Sequence, residues 1–232
     1  MKFNITLISD THGKHNQITK NLIGGDFILH SGDISNMGYL QEIKDFCEWF
    51  NQLPYRHKVF IAGNHDWGFQ TNPKKVQEIL LNYPEIVYLE DDFVTLDGVK
   101  IYGSPYQPEF CSWAFNLPRN GVELEKVWSK IPDDTDILLT HSPAYGISSL
   151  DSVEGKRHIP LGCEKLTERL RVINPKIHSW GHIHSGYGSY SNDKTNFFNA
   201  SILDERYCYT QKPINIIWDS ETNEYEGNNS RK

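Results

Sequence analysis

Five short apolar runs in this chain each stop at a residue type that binds metals, and no other feature restricts the possible folds as much. Phe3 to Ser9 is followed by Asp10-Thr11-His12, Phe27 to Ser31 by Gly32-Asp33, and Lys58 to Ala62 by Gly63-Asn64-His65-Asp66. Ile137 to Thr140 runs into His141, and Ile177 to Trp180 into Gly181-His182-Ile183-His184. The runs have the length and residue types of buried strands. In open α/β sheets ligands sit beyond the carboxyl ends of strands, so such endings predict one crevice built from segments far apart in sequence.

Between the runs lie amphipathic stretches. Leu40, Ile43, Phe46, Phe50 and Leu53 recur at helical spacing, as do Val76, Ile79 and Leu80. Leu124, Val127, Trp128 and Ile131 form a third stripe, and Cys163, Leu166, Leu170 and Ile173 a fourth. Further β-rich runs are Phe93 to Leu96, Val99 to Gly103 and Ile214 to Trp218. Strands alternating with helices predict an α/β fold with helical crossovers. A chain of 232 residues buries roughly 70 to 75% of its unfolded surface, enough for one core without staples. We therefore expect a single domain over 1–219 and a polar, flexible tail over 220–232, with the Pro- and aromatic-rich stretch from Ser104 to Asn120 as a long ordered loop.

Charge narrows the partners. The formal net charge is -7, so no broad basic face is present to neutralise a polyanion, and extended nucleic-acid binding is disfavoured. Cys47, Cys111, Cys163 and Cys208 are far apart and form no C-x-x-C pair, which reads as buried free thiols in a reducing compartment. The apolar run after the first residues is too short for a signal segment or a membrane helix, so the expected location is cytoplasmic. In that compartment the sequon Asn199-Ala200-Ser201 carries no meaning.

Asp10 with His12, and His182 with His184, are two residues apart, and in extended chain such pairs face one way. Gly32, Gly63 and Gly181 each precede a candidate ligand and let the backbone turn or approach closely. Carboxylate, imidazole and amide oxygen together suit borderline divalent ions. Asp10, His12, Asp33, Asn64, His141, His182 and His184 are too many for one tetrahedral ion, whereas two ions sharing a carboxylate use them all. His15, His30, His57, His158 and His178 lack such company and read as structural or solvent-exposed histidines.

The blocks Asp10-Thr11-His12, Gly32-Asp33, Gly63-Asn64-His65-Asp66, His141 and Gly181-His182-Ile183-His184, in that order, resemble the calcineurin-like metallophosphoesterases. Leu53-Pro54-Tyr55, Ile101 to Pro105 and Phe115 to Arg119 are similar to the metallophosphoesterase-domain-containing subfamily, which is related to class III cyclic nucleotide phosphodiesterases. The resemblance covers nearly all of the chain up to Trp218. It implies a four-layer α/β/β/α sandwich with a two-metal centre between the sheets. It places Asp10, His12, Asp33 and His184 on one ion and Asp33, Asn64, His141 and His182 on the other, with Asp33 bridging. Manganese is the expected metal, and iron, zinc, nickel or magnesium are also compatible.

Two divalent ions about 3.5 to 4 Å apart lower the pKa of a shared water, so hydroxide is the expected nucleophile on phosphorus. His65 is expected to face the substrate as general acid, with Asp66 holding its ring in one tautomer. Asn64, His65, Trp67, Trp113 and Arg119 are the expected substrate contacts. Tyr106, Phe110 and Phe115 add aromatic surface near the motifs, and an aromatic face there can stack a nucleobase. The expected substrate is a small phosphodiester, a cyclic nucleotide by the subfamily resemblance. Two alternatives stay open: a phosphomonoesterase acting on proteins or nucleotides, and a nucleotide-binding sensor or scaffold with little turnover.

Overall fold

Alternation along the strands decides the architecture. The computed structural model describes residues 1–153 and 159–227. In chain order its first half holds β1 (Lys2–Ile8), β2 (Gly25–Ser31), α1 (Leu40–Asn51), β3 (Tyr55–Ile61), α2 (Trp67–Thr71), α3 (Pro73–Leu80), β4 (Ile86–Tyr88), β5 (Asp92–Leu96) and β6 (Val99–Ser104). The second half holds β7 (Gln107–Pro108), β8 (Asn116–Leu117), α4 (Val122–Ser129), β9 (Ile137–Thr140), α5 (Glu164–Ile173), β10 (Ile177–Trp180), β11 (Gly188–Ser191), β12 (Asn196–Asn199), β13 (Ile214–Asp219) and β14 (Tyr225–Gly227).

Two six-stranded sheets result, ordered β14-β13-β1-β2-β3-β4 and β11-β12-β10-β9-β6-β5. Phe3, Ile5, Leu7, Phe27, Leu29, Val59 and Ile61 leave the first sheet on one face and meet Val99, Ile101, Ile137, Leu139, Ile177 and Phe198 of the second. The intervening Ile28 and Phe60 point the other way, against Ile43, Phe46 and Phe50 of α1 and Val76 of α3. Tyr102, Leu138, Trp180 and Phe197 do the same on the second sheet, against Leu124, Val127 and Trp128 of α4 and Leu166 and Leu170 of α5. Because side chains alternate between faces, a strand apolar at every position must be covered on both sides. The result is the α/β/β/α sandwich.

β1, β2, β3 and β4 run parallel in the first sheet, and β6, β9, β10 and β12 in the second. Parallel pairing puts their carboxyl ends along common edges, and these edges carry the motif loops. Ser31 and Ser179, one from each sheet, are hydrogen-bonded at 3.0 Å and tie the two edges together.

The structure departs from the sequence expectations in several places. β14 pairs antiparallel with β13 over Trp218–Tyr225, Ile217–Glu226 and Ile216–Gly227, so order extends through Gly227, past the expected start of the tail; residues 228–232 lie outside the described residues. β4, β11 and β12 were not legible, since β4 has three residues and the short β11 and β12 are framed by serines and asparagines. Cys47 and Cys163 are buried as expected, but Cys111 and Cys208 are exposed. Asn199 is fully buried and its side-chain amide donates to the carbonyls of Leu150 and Ile183, which closes the sequon to modification in the fold. Among the described residues no helix is long and apolar enough to cross a membrane.

Candidate metal centre

Asp10, Asp33, Asn64, His141, His182 and His184 all follow the carboxyl ends of β1, β2, β3, β9 and β10, and His12 lies one turn beyond Asp10. Backbone bonds weave the loops together. Asp10 N–H donates to Gly32 O, His12 N–H to Asp33 O, and Gly181 N–H to His141 O, at 3.0, 3.0 and 3.1 Å. Asp10, His12, Asp33 and His182 adopt φ of 55, 43, 54 and 64°, the left-handed region. Asp and His enter it more readily than bulkier residues, yet each such residue costs of order 1 kcal/mol and persists only where the surroundings impose it. Gly63 and Gly181 are required for space: a Cβ at Gly63 would fall on the Asp33 carboxylate, and one at Gly181 on that of Asp10.

The donors converge in overlapping groups: Asp33 joins His12 and His65 in one, and Asp10 belongs to two more. Asp10, His12 and His184 offer donor atoms within 4.8 Å of one another, as do Asp10, Asp33 and His141. Asp33 Oδ2 lies 3.6 Å from His12 Nε2 and 3.3 Å from His141 Nε2, and Asp10 Oδ1 lies 3.4 Å from His184 Nε2. Asn64 Oδ1 is 3.0 Å from His141 Nε2 and 2.8 Å from His182 Nδ1. His141 Nδ1–H donates to Ser31 O and His184 Nδ1–H to Asp204 O, each at 3.0 Å, which orients both rings so that Nε2 faces the carboxylates. Asp10 is gripped by the His182 N–H at 3.0 Å and by the Ser201 hydroxyl at 2.8 Å.

Electrostatics favour a cation here. Burial raises the carboxyls of Asp10 and Asp33, but their histidine neighbours outweigh it and hold both well below the usual carboxylate range: His184 leads at Asp10 and His141 at Asp33. Among the described residues the ion pairs of these two aspartates are to imidazoles only. Burial lowers His141 and His184, yet the charge and hydrogen bond of Asp33 and Asp10 push both up to about 9. Protonated imidazoles are thus the available countercharge, and divalent cations are a better one. His12 is the clearest sign: it is buried, burial brings it down to about 4, and both ring nitrogens lack a hydrogen-bond partner. An orphaned buried imidazole between two carboxylates fits a metal ligand, and no hydrogen bond explains its place otherwise.

The remaining expected site residues divide. His65 lies at the centre, its ring 4.7 Å from His12 and a ring nitrogen within 4.8 Å of donor atoms of His12 and Asp33. Its Nδ1–H donates to Asn36 O at 2.8 Å, so Asn36, not Asp66, sets its tautomer. The Asp66 carboxylate is fully buried and accepts from Gly63 N–H, Ile34 N–H, Ser35 N–H and the Ser35 hydroxyl. It pins the loops after β2 and β3 together and touches no reacting group, which corrects its expected catalytic role. Trp113 stacks on His65 at 4.1 Å and supports that ring. Trp67 is partly buried and packs against the core cluster that includes α1. Arg119 lies beside the site, but its guanidinium donates to Leu161 O, Gly162 O and Glu164, the ordinary salt bridge in place of a phosphate contact.

Tyr106 and Phe115 belong to the core, whereas Phe110 is exposed. His15, His30, His57 and His178 lie away from the donor groups, paired with Trp49, Thr11, Asp97 and Thr140 respectively; His158 lies outside the described residues. Sequence reading missed Tyr207, whose ring meets those of His12, His184 and His65 at 4.8, 5.3 and 6.4 Å. It also missed Ser201 and Asn36. None of the three sits in a metal-binding motif, and spacing alone cannot find them.

The comparisons with known proteins agree with this geometry. A family model described as calcineurin-like phosphoesterase matches residues 3–186. Human metallophosphoesterase domain-containing protein 1 is 38% identical over 233 residues, covering 90% of this chain and 69% of the relative. A UPF0046 protein of Caenorhabditis elegans is 33% identical over 225 residues, covering 90% of this chain and 73% of its own. Among solved structures, the TT1561 protein of Thermus thermophilus superposes with a TM-score of 0.65 at 15% identity, covering 100% of both chains. The phosphopantetheinyl hydrolase of Mycobacterium tuberculosis superposes at 0.59 with 14% identity, covering 88% of this chain and 90% of the other. These two likenesses speak for the fold. Family model, relatives and donor geometry together place the chain in the calcineurin-like phosphoesterase family.

Proposed function

We propose that this protein is a hydrolase of small phosphodiesters, with cyclic nucleotides as the leading substrate class, working with two divalent ions, manganese first among them. The observation that carries the reading is the placement of the Asp33 carboxylate between two donor sets, with Oδ2 facing His12 on one side and His141 on the other. A carboxylate so placed is suited to bridge two ions. When bound, such ions clamp phosphoryl oxygens as Lewis acids and make hydroxide available near neutral pH.

The chain's own residues do the rest. Asp33 Oδ1 accepts from the His65 N–H at 2.8 Å, which fixes the turn that carries His65 against the ligand set. With Nδ1–H committed to Asn36 O, a protonated His65 delivers its proton from Nε2 to the departing alkoxide. Trp113 stacked on its face holds the ring in that direction. His182 N–H and Ser201 keep Asp10 fixed, so little reorganisation is left for the reaction itself. A groove of about 440 Å³ opens over His182 and His184, a volume suited to a small molecule and not to a protein chain.

The decisive assay compares bis(p-nitrophenyl) phosphate with p-nitrophenyl phosphate on manganese-loaded protein. Preferential hydrolysis of the diester supports the reading, preference for the monoester replaces it with a phosphatase, and no turnover of either leaves a sensor. A small phosphorylated molecule is the proposed partner.

A further inference from the structure

Two histidines outside the ligand set stand just before the ligand-bearing ends of β2 and β10, one in each sheet. His30 and His178 are fully buried, and each is followed by a serine. Ser31 and Ser179 bond each other across the sandwich, so the histidines before them point outward, away from the opposite sheet. His30 lies against Phe46 and Phe50 of α1, with ring centres 5.2 and 6.5 Å away. His178 lies against Trp180 and Phe197, at 4.8 and 6.1 Å. A polar ring gains nothing from such surroundings over an apolar one, because its nitrogens must be desolvated. What it adds is a directed hydrogen bond.

Each ring gives its Nε2 proton to a threonine. Gly32 N–H donates to His30 Nδ1 at 3.2 Å, which leaves the ring proton on Nε2 and directs it to Thr11 Oγ1 at 3.0 Å. The Thr11 hydroxyl then donates to Ile34 O, at 3.4 Å. In the other sheet the Thr140 hydroxyl donates to Ser142 O at 2.7 Å, so its oxygen accepts from His178 Nε2–H at 2.9 Å. The order is the same in both: imidazole, hydroxyl, backbone carbonyl. His178 Nδ1 has no partner among the described residues, so the bond to Thr140 is the polar contact that the ring supplies.

These chains of bonds end on residues that flank the ligands. Thr11 stands between Asp10 and His12, and Ile34 follows Asp33; Thr140 precedes His141, and Ser142 follows it. Asp10, His12 and Asp33 hold φ of 55, 43 and 54°, a region that residues with side chains keep only under restraint. A hydroxyl has one proton, and with that proton and an acceptor lone pair both assigned it no longer rotates. The backbone beside each ligand is thereby fixed from behind.

We propose that His30 with Thr11, and His178 with Thr140, are a matched pair of positioning clamps, one per sheet, that hold Asp10, His12, Asp33 and His141 in the geometry that binds metal. That these ligands take metal rests on the two-ion reading above; the clamps themselves belong to the fold.

The test reads metal affinity and ring signals. Thr11→Val and Thr140→Val keep the shape of the side chain and remove the hydroxyl, whereas Thr11→Ser and Thr140→Ser retain it. With free manganese counted by electron paramagnetic resonance, each valine variant is expected to raise the manganese Kd on the order of 10-fold, the usual cost of losing an outer partner of a ligand. Each serine variant is expected to stay close to the parent. A role confined to stability would lower the urea midpoint and leave Kd unchanged. Metal-free protein supplies the second readout. Long-range proton–nitrogen spectra of the parent are expected to show His30 and His178 neutral with the proton on Nε2, a check that needs no variant to fold. Thr11→Val is expected to move the ring signals of His12, and Thr140→Val those of His141. Nδ1–H tautomers in the parent, or valine variants with parental Kd and parental His12 and His141 signals, overturn the clamps. If the parent binds no manganese, the two-ion reading falls and the ring signals still decide the clamps.

Discussion

Single side chains carry the chemistry, and two of them separate what the sequence pattern implies from what contacts decide. His65 and Asp66 are neighbours in one motif, yet the first faces the ligand set and the second is buried under four hydrogen bonds. His65→Ala is expected to keep its metal, measured by elemental analysis, and to lose on the order of 10²-fold in kcat, the usual contribution of a general acid. Asp66→Ala is expected to fail differently. It strands four buried donors, so stability in urea falls by about 3 kcal/mol or more. An Asp66→Ala protein as stable as the parent but slow in turnover would return the residue to the reaction. Burial and the nearby charge of Asp33 push the Asp66 carboxyl up to about 7, which the donors around it only partly offset. The motif spacing made the ligand residues legible because each sits at a strand end. It said nothing about Asn36 or Tyr207, which reach the site from loops whose course depends on tertiary contacts.

Secondary elements position the site through their ends. The strands were legible where apolar residues run continuously, which leaves few other readings; β11 and β12 were not, since β11 is an edge strand rich in serine and the two phenylalanines of β12 are flanked by asparagines. Gly181, directly after β10, illustrates how tightly an end is fitted, for any Cβ there falls on the Asp10 carboxylate. Gly181→Ala is expected to weaken metal retention on dialysis against a mild chelator far more than Gly146→Ala, whose Cβ meets open space. Equal retention would show that the β10 loop yields without disturbing Asp10. β10 also carries His178, which is fully buried and held by burial at about 3. The Thr140 hydroxyl donates to Ser142 O, so its oxygen accepts from His178 Nε2–H, and the ring is neutral in the fold. Its folded pKa lies below the unfolded value of about 6.5, so the stability it contributes is full above that pH and is lost as pH falls toward 3. Between pH 7 and 5 the parent should lose about 2 kcal/mol more than His178→Gln, measured by urea titration. Parallel pH profiles would mean the ring is already charged.

The molecule as a unit couples folding to the ions it is built to hold. Two sheets present their carboxyl edges to one another, and two buried aspartates meet there with imidazoles as their partners. Chelation is therefore expected to lower the melting temperature and manganese to restore it, because an ion that binds only the folded state stabilises it by mass action. Asp33→Asn should abolish that response along with most activity; a variant that still melts higher with manganese would contradict the bridging role. The pattern of apolar runs by itself determined an α/β fold, since a strand apolar on both faces has to be covered and an amphipathic helix can cover it; that two sheets face one another was implied by the family resemblance and is shown by the folded chain. The donor types and their order determined which residues form the centre, because strand ends in parallel sheets share an edge. Which nitrogen each histidine offers, which carboxylate serves the backbone instead of a ligand, and which rings wall the groove were decided only by the folded chain. Those depend on contacts between segments far apart in the chain, such as Ser201 on Asp10 across 191 residues, and no local periodicity encodes them.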